Sequence, residues 1–174
     1  MLYCTAYPAC MLGVKYGIIT SMELSVDSTD AMKELGARIG ALVRGGEVIE
    51  LVGDIGAGKT TFTKGLAAAL GIDDDVQSPT FTISRVYDVP GGLRLAHYDF
   101  YRLNEPGIMR AELDEAVRDP STVTVIEWAE VVADVLPADC LRIVITATAE
   151  DARTVTLRAG GMRAQTIIGE LEAK

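Results

Sequence analysis

Residues 53 to 60 read Gly53-Asp54-Ile55-Gly56-Ala57-Gly58-Lys59-Thr60, and few eight-residue stretches restrict a fold so tightly. The G-x-x-x-x-G-K-[ST] spacing makes a phosphate-binding loop only where a strand enters it and a helix leaves it. Both flanks are present. Val48-Ile49-Glu50-Leu51-Val52 is a mostly apolar run of strand length, and the Ala-rich stretch from Lys59 to Leu70 is stopped by Gly71. Glycines let the backbone curl until successive N–H groups converge on phosphate oxygens, and the positive end of the helix dipole adds to them. In that arrangement Lys59 reaches the β- and γ-phosphates, and the Thr60 hydroxyl ligates Mg²⁺.

The chain has 174 residues, 49 % of them hydrophobic, which suffices for one core and is too short for two comfortable domains. Residues 22–174 are expected as a single domain. Residues 1–21 read as an N-terminal extension without a clear hydrophobic period, with Met11 or Met22 as the native start. That segment lacks a basic cluster, and Lys15 interrupts its apolar stretch, so it makes a poor secretory signal. A net charge of −9 argues against a bare electrostatic grip on nucleic acid, so any role in RNA metabolism runs through a protein partner. Cys4, Cys10 and Cys140 form an odd set without C-x-x-C spacing, which argues against a disulfide framework or a zinc site and for the cytoplasm. No apolar run approaches the roughly 18 residues of a membrane span, so no membrane partner is expected.

After Glu23-Leu24-Ser25-Val26, the cluster Asp27-Ser28-Thr29-Asp30 offers helix N-caps, and Met32, Leu35, Ile39, Leu42 and Val43 recur at helical spacing up to Gly45-Gly46. Asp73-Asp74-Asp75 reads as a solvated loop. Ser78-Pro79-Thr80-Phe81-Thr82 leads into an extended run through Tyr87, with Phe81, Ile83 and Arg85 on one alternation. Pro90-Gly91-Gly92 then turns the chain into Leu93 to Asp99, an antiparallel hairpin. Asp88-Val89-Pro90-Gly91 fits the D-x-x-G pattern of GTPases, but hairpin turns favour the same residues and no guanine-reading motif follows. A helix around residues 106–117, the strand Val123 to Ile126, two alternating strands at 141–146 and 154–157, and a short terminal helix near 167–171 complete the pattern. Together these elements predict a three-layer α/β fold of the phosphate-loop NTPase class. Its sheet is mixed but mainly parallel, and the ligand site lies beyond the strands' carboxyl ends.

Phosphoryl transfer needs a metal ion, an aligned water and positive charge on the developing oxyanions, so acids at strand ends are the next candidates. Glu127 follows a buried-looking strand and is placed to reach Mg²⁺ or its water shell. Asp99 ends Leu95-Ala96-His97-Tyr98-Asp99 and could position the attacking water. Thr80, after Pro79, has the character of a switch residue whose hydroxyl senses the γ-phosphate or the metal. His97, the chain's single histidine, shares a strand face with Asp99 and fits a hydrogen bond that orients its surroundings better than direct chemistry. Trp128 is a packing or partner-facing residue.

Four segments in this order, Gly53 to Phe62, Ser78-Pro79-Thr80-Phe81, His97-Tyr98-Asp99-Phe100-Tyr101-Arg102-Leu103 and Ile126-Glu127-Trp128, resemble the TsaE family, formerly YjeE, over about residues 23–163. The resemblance implies an ATPase needed for the threonylcarbamoyl modification of adenosine 37 in tRNAs that read ANN codons. It would act with TsaB and TsaD, reset their complex by hydrolysis, and meet tRNA only through them. It also implies that Gly56 to Thr61, including Thr61, bind phosphates, that Thr60 and Glu127 hold Mg²⁺, and that Asp99 and Thr80 respond to the γ-phosphate. Arg153, ahead of the last strand, would contact the nucleotide. The chain departs from the family where Met32 stands in place of a threonine four residues before Gly36, and where Ala129 follows Trp128 in place of proline.

Two other readings compete. A small-molecule kinase of the same fold would need a basic lid, for which Arg102, Arg110 and Arg118 are the available residues. A nucleotide-gated interaction module, in which assembly is the output, merges with the partner-dependent ATPase.

Overall fold

The structure, a computed structural model, describes residues 21–72, 75–105 and 107–173. Of the expectations above, the extension (except Ser21), Asp73, Asp74 and the helix start at Pro106 lie outside the described residues. The strands are β1 (Ser21–Val26), β2 (Val48–Val52), β3 (Ser84–Asp88), β4 (Arg94–Asp99), β5 (Thr122–Glu127), β6 (Cys140–Ala147) and β7 (Arg153–Ala159). The helices are α1 (Thr29–Gly40), α2 (Lys59–Ala69), α3 (Met109–Arg118) and α4 (Met162–Glu172), with a 3-10 turn at Ala129–Val132.

All seven strands join one sheet in the order β1-β7-β6-β2-β5-β4-β3. Its four central strands, β6, β2, β5 and β4, are parallel, while antiparallel partners close both edges. Strand alternation divides the core into two layers. Ile49, Leu51, Val123 and Val125 face α1, α2 and α4, where Phe62 and Leu66 are fully buried. Each of those two side chains contributes about 1.5–3 kcal/mol relative to exposure. Val48 and Ile126 face the other way, onto Leu113 of α3 and Val132 of the 3-10 turn. Helices on both faces of a mixed sheet make the three layers expected.

Two glycines set the distance between α1 and α2. A Cβ on Gly36 would lie 2.1 Å from the Phe62 carbonyl oxygen, and one on Gly65 would lie 1.9 Å from that of Lys33. Any larger residue would push the helices apart. The close approach carries Met32 of α1 to within van der Waals contact of a Cβ built at Gly58, so the first helix backs the phosphate loop.

Three boundaries differ from expectation, each through contacts that are not local in the sequence pattern. α1 stops at Gly40 instead of running on to Gly45-Gly46, because Leu42 N–H bonds Ile39 O at 2.9 Å and the Glu47 carboxylate accepts the Arg44 and Gly45 N–H groups. Ser28 supplies the expected cap, its Oγ accepting Ala31 N–H at 3.1 Å. The first hairpin strand begins only at Ser84. Thr82 and Ile83 both donate to the Pro79 carbonyl, Ile83 sits at φ 68°, and Phe81 projects into solvent. α4 starts at Met162 and not near 167, since Asp139 accepts the N–H groups of Arg163 and Ala164. The turn after β3 is as read: Val89 N–H bonds Leu93 O at 2.9 Å, and Gly91 and Gly92 take positive φ.

Candidate active site at the phosphate loop

The loop between β2 and α2 bends through positive φ at Gly56 (78°) and Gly58 (113°), values that side-chain-bearing residues avoid. Gly58 is the N-cap of α2 and has no side chain to cap the helix, which leaves the first turn's N–H groups directed at the cleft. A Cβ at Gly56 would meet nothing within 4 Å, so the loop's outer rim is open.

Lys59 folds back across this loop. Its Nζ donates to Gly53 O at 2.8 Å and Asp54 O at 3.0 Å, stands 3.8 Å from Glu127 Oε2, and lies 4.8 Å from the centre of the Trp128 ring. The ammonium has three N–H donors and carbonyls take two. Glu127 Oε2 stands nearest to the third. Asp54 contributes its carbonyl and leaves its side chain exposed, and Ala57 N–H closes the turn onto the same carbonyl.

Glu127 and Asp99 meet at the ends of neighbouring parallel strands, where they are register partners. Both are almost fully buried, at 3 % and 4 % exposure. Asp99 Oδ2 accepts the hydroxyls of Thr80 and of Ser78, the latter at 3.3 Å, and its Oδ1 accepts Tyr101 N–H at 2.9 Å. Glu127 Oε1 is 3.0 Å from His97 Nε2. The turn at 79–83 that shortens β3 is what brings Thr80 back to Asp99.

Lys59, Ser78, Thr80, Asp99 and Glu127, with Ile55, Gly56, Gly58, Thr60, Tyr101 and Trp128, line a cleft of about 260 Å³ at the carboxyl edge of the sheet. Trp128 has φ 57° and ψ 49°, a left-handed conformation that bulky residues rarely adopt, and its ring packs 5.0 Å from that of Tyr101. Thr61 and Arg153 fall outside this cleft. They border a second, smaller hollow of about 80 Å³, lined by Ser28, Thr29, Met32 and Asp151 together with Gly56, Ala57 and Gly58 of the loop. Arg153 Nε donates to Ala57 O at 3.1 Å, so this arginine is tied to the loop.

Sequence reading brought together Lys59, Thr60, Thr80, Asp99 and Glu127, and they do converge. It gave no role to Ser78, whose hydroxyl lies 2.6 Å from that of Thr80; two hydroxyls flanking one proline were the available signal. It placed His97 on the strand face of Asp99 with an orienting hydrogen bond, and the ring makes that bond to Glu127 on the next strand. Cys140 is buried, and burial pushes its thiol up to about 12, which removes it as a nucleophile near neutral pH.

Among the described residues no group of three or more His, Cys, Asp and Glu side chains is arranged to hold a metal ion. The cleft instead gathers the hydroxyls of Thr60, Ser78 and Thr80 and two carboxylates, Glu127 and Asp99. That donor set suits Mg²⁺, which keeps water and phosphate oxygens for most of its ligands.

A family model described as threonylcarbamoyl adenosine biosynthesis protein TsaE matches residues 26–155. The chain belongs to the TsaE family. Among curated relatives, the tRNA threonylcarbamoyladenosine biosynthesis protein TsaE of Bacillus subtilis is 41 % identical over 145 residues, covering 83 % of this chain and 88 % of the relative. The protein of that name from Streptomyces coelicolor is 42 % identical over 137 residues, covering 76 % and 93 %. The crystal structure of YdiB from Bacillus subtilis superposes with a TM-score of 0.76 at 34 % identity, covering 91 % of this chain and 98 % of that one. TsaE proteins, by these names, belong to tRNA threonylcarbamoyladenosine biosynthesis, and the phosphate-loop fold of this chain agrees with that membership.

Proposed function

We propose that this protein is a Mg²⁺-dependent ATP hydrolase whose turnover drives the TsaB–TsaD complex through cycles of threonylcarbamoyl transfer to adenosine 37 of tRNAs reading ANN codons. One observation carries the reading: Lys59, Glu127 and the hydroxyl-held Asp99 face one cleft at the mouth of a glycine-bent loop. In this reading the backbone of Gly56 to Thr61 holds phosphate oxygens, and Lys59 supplies positive charge where it develops on transfer. Bound Mg²⁺ would neutralise the phosphate oxygens, with Thr60 and Glu127 as its protein ligands. Asp99 accepts from Thr80 and Ser78, and through that bond Thr80 couples the turn at 79–83 to the cleft.

Partner dependence is supported by the rim. Ile55 and Phe81, next to the cleft, are 71 % and 83 % exposed, which suits a surface covered by another protein. A net charge of −9 suits contact with tRNA through TsaB and TsaD better than direct contact, in the cytoplasm where the modification is made.

The kinase alternative is the less favoured reading. Arg110 and Arg118 are tied to Asp134 and Asp114 on the surface, and Arg102 lies over the Phe81 ring, so these three arginines are engaged in other contacts.

Phosphate release from ATP, measured for the protein alone and with purified TsaB and TsaD, tests the proposal. Turnover should be slow alone, rise with both partners, and fall about a hundredfold or more in Lys59→Ala. Turnover indifferent to the partners, or surviving in Lys59→Ala, would contradict it.

A further inference from the structure

His97 stands at 0 % exposure in the middle of β4, between Ala96 and Tyr98, both buried. An imidazole placed there gives up its hydration, and only one of its two nitrogens is repaid. Nε2 lies 3.0 Å from Glu127 Oε1, while Nδ1 has no hydrogen-bond partner. Carboxylate oxygens only accept, so Nε2–H is the donor. A residue kept for packing alone would carry no polar atoms, as Val125, its register partner on β5, does not.

The ring's reach explains its use. His97 and Asp99 share a strand face, and Glu127 lies one alternation beyond Val125 on the neighbouring strand, diagonally above the imidazole. The bond takes Oε1 and leaves Oε2 as the oxygen that faces Lys59 Nζ, 3.8 Å away. Without it, the carboxylate would be free to rotate about its last torsion or fold onto the ammonium.

We infer that His97 is a positioning residue: it fixes the rotation of the Glu127 carboxylate and thereby sets the affinity of the cleft for the divalent cation that accompanies the nucleotide. The inference rests on the Mg²⁺ reading above. Partners that orient a ligating side chain typically change metal affinity or activity by 10- to 100-fold when removed.

Trp128 is the chain's only tryptophan and lines the cleft beside Glu127, so its fluorescence reports binding directly. The experiment titrates Mg²⁺ into protein with ADP, for wild type, His97→Leu and His97→Gln, each checked by thermal melt. His97→Leu should raise the Mg²⁺ concentration at half-change about tenfold or more. ADP binding without Mg²⁺ should stay unchanged. His97→Gln, whose amide N–H stands near the position of Nε2, should restore most of the loss. In a Glu127→Gln background, His97→Leu should add no further shift. If His97→Leu does not fold, His97→Asn replaces it, since its shorter amide stops short of Oε1.

A folded His97→Leu or His97→Asn with wild-type Mg²⁺ dependence overturns the inference alone, as does a His97→Gln variant as impaired as the leucine one. A wild type whose fluorescence ignores ADP and Mg²⁺ overturns the proposed function and this inference with it.

Discussion

Asp99 and Asp119 stand at opposite ends of the same pair of parallel strands, and their hydrogen-bond shells are nearly alike. Asp119 accepts Ser121 N–H at 2.9 Å, Ser121 Oγ–H at 2.7 Å and Thr122 Oγ–H at 2.6 Å, and pairs with Arg94. Asp99 accepts one backbone N–H and two hydroxyls. What separates them is location. Asp119 closes the turn between α3 and β5 at the amino edge of the sheet, with its side chain 20 % exposed. Asp99 lies at the carboxyl edge, 4 % exposed, next to the phosphate loop and across from Glu127. A well-bonded carboxylate is thus no mark of a site by itself. It becomes one where the sheet's carboxyl edge, a helix N-terminus and an ammonium meet.

The comparison breaks first at Glu127. Glu127→Gln keeps the shape and removes the charge opposite Lys59, so kcat for ATP should fall about a hundredfold or more while the melting temperature barely moves. A smaller effect is expected at Thr80. Thr80→Val deletes one of two hydroxyls on Asp99, and because Ser78 remains, kcat should drop about tenfold with ADP affinity unchanged. An equal loss in ADP affinity would mean that Thr80 merely shapes the loop.

At the other end the expected signs reverse. Asp119→Asn should lower the melting temperature and leave turnover at lower temperature within about twofold of wild type, as for a substitution remote from the chemistry. Hydrogen bonds from Thr122 and Ser121, with help from Arg94, hold the Asp119 carboxyl well below the usual carboxylate range. A carboxyl depressed in the folded state adds stability above its unfolded pKa and loses it as pH falls through the folded value. The gap in melting temperature between wild type and Asp119→Asn should therefore be full at neutral pH and narrow below about pH 4. A gap independent of pH would assign the effect to geometry and not to charge.

How much of this was readable before folding follows the range of each interaction. The phosphate loop is local: glycine spacing, a strand ahead and a helix behind lie within 25 residues, 48 to 72, and every element of it stands where expected. Glu127 and Asp99 were legible because a parallel sheet delivers strand ends to one edge, although nothing in the sequence says that they pair with each other. The link from Thr80 to Asp99 spans 19 residues and depends on the Pro79 carbonyl capturing two N–H groups, which also ended the extended run earlier than alternation implied. Glu47 ends α1 and Asp139 starts α4 by the same kind of reach, a carboxylate taking backbone N–H groups that helix periodicity had assigned otherwise. Arg153 was expected at the nucleotide and is found bonded to the loop's Ala57 carbonyl, a contact across 96 residues. That bond holds Arg153 against the loop, in the hollow that Gly56, Gly58 and Thr61 also line.

The most direct test sets the two aspartates side by side: phosphate release from ATP, with TsaB and TsaD present, for wild type, Asp99→Asn and Asp119→Asn at a temperature where all three are folded. The account predicts a loss of about a hundredfold in Asp99→Asn and wild-type turnover in Asp119→Asn. Equal rates in the two variants would show that the carboxyl edge of the sheet is not where the chemistry occurs.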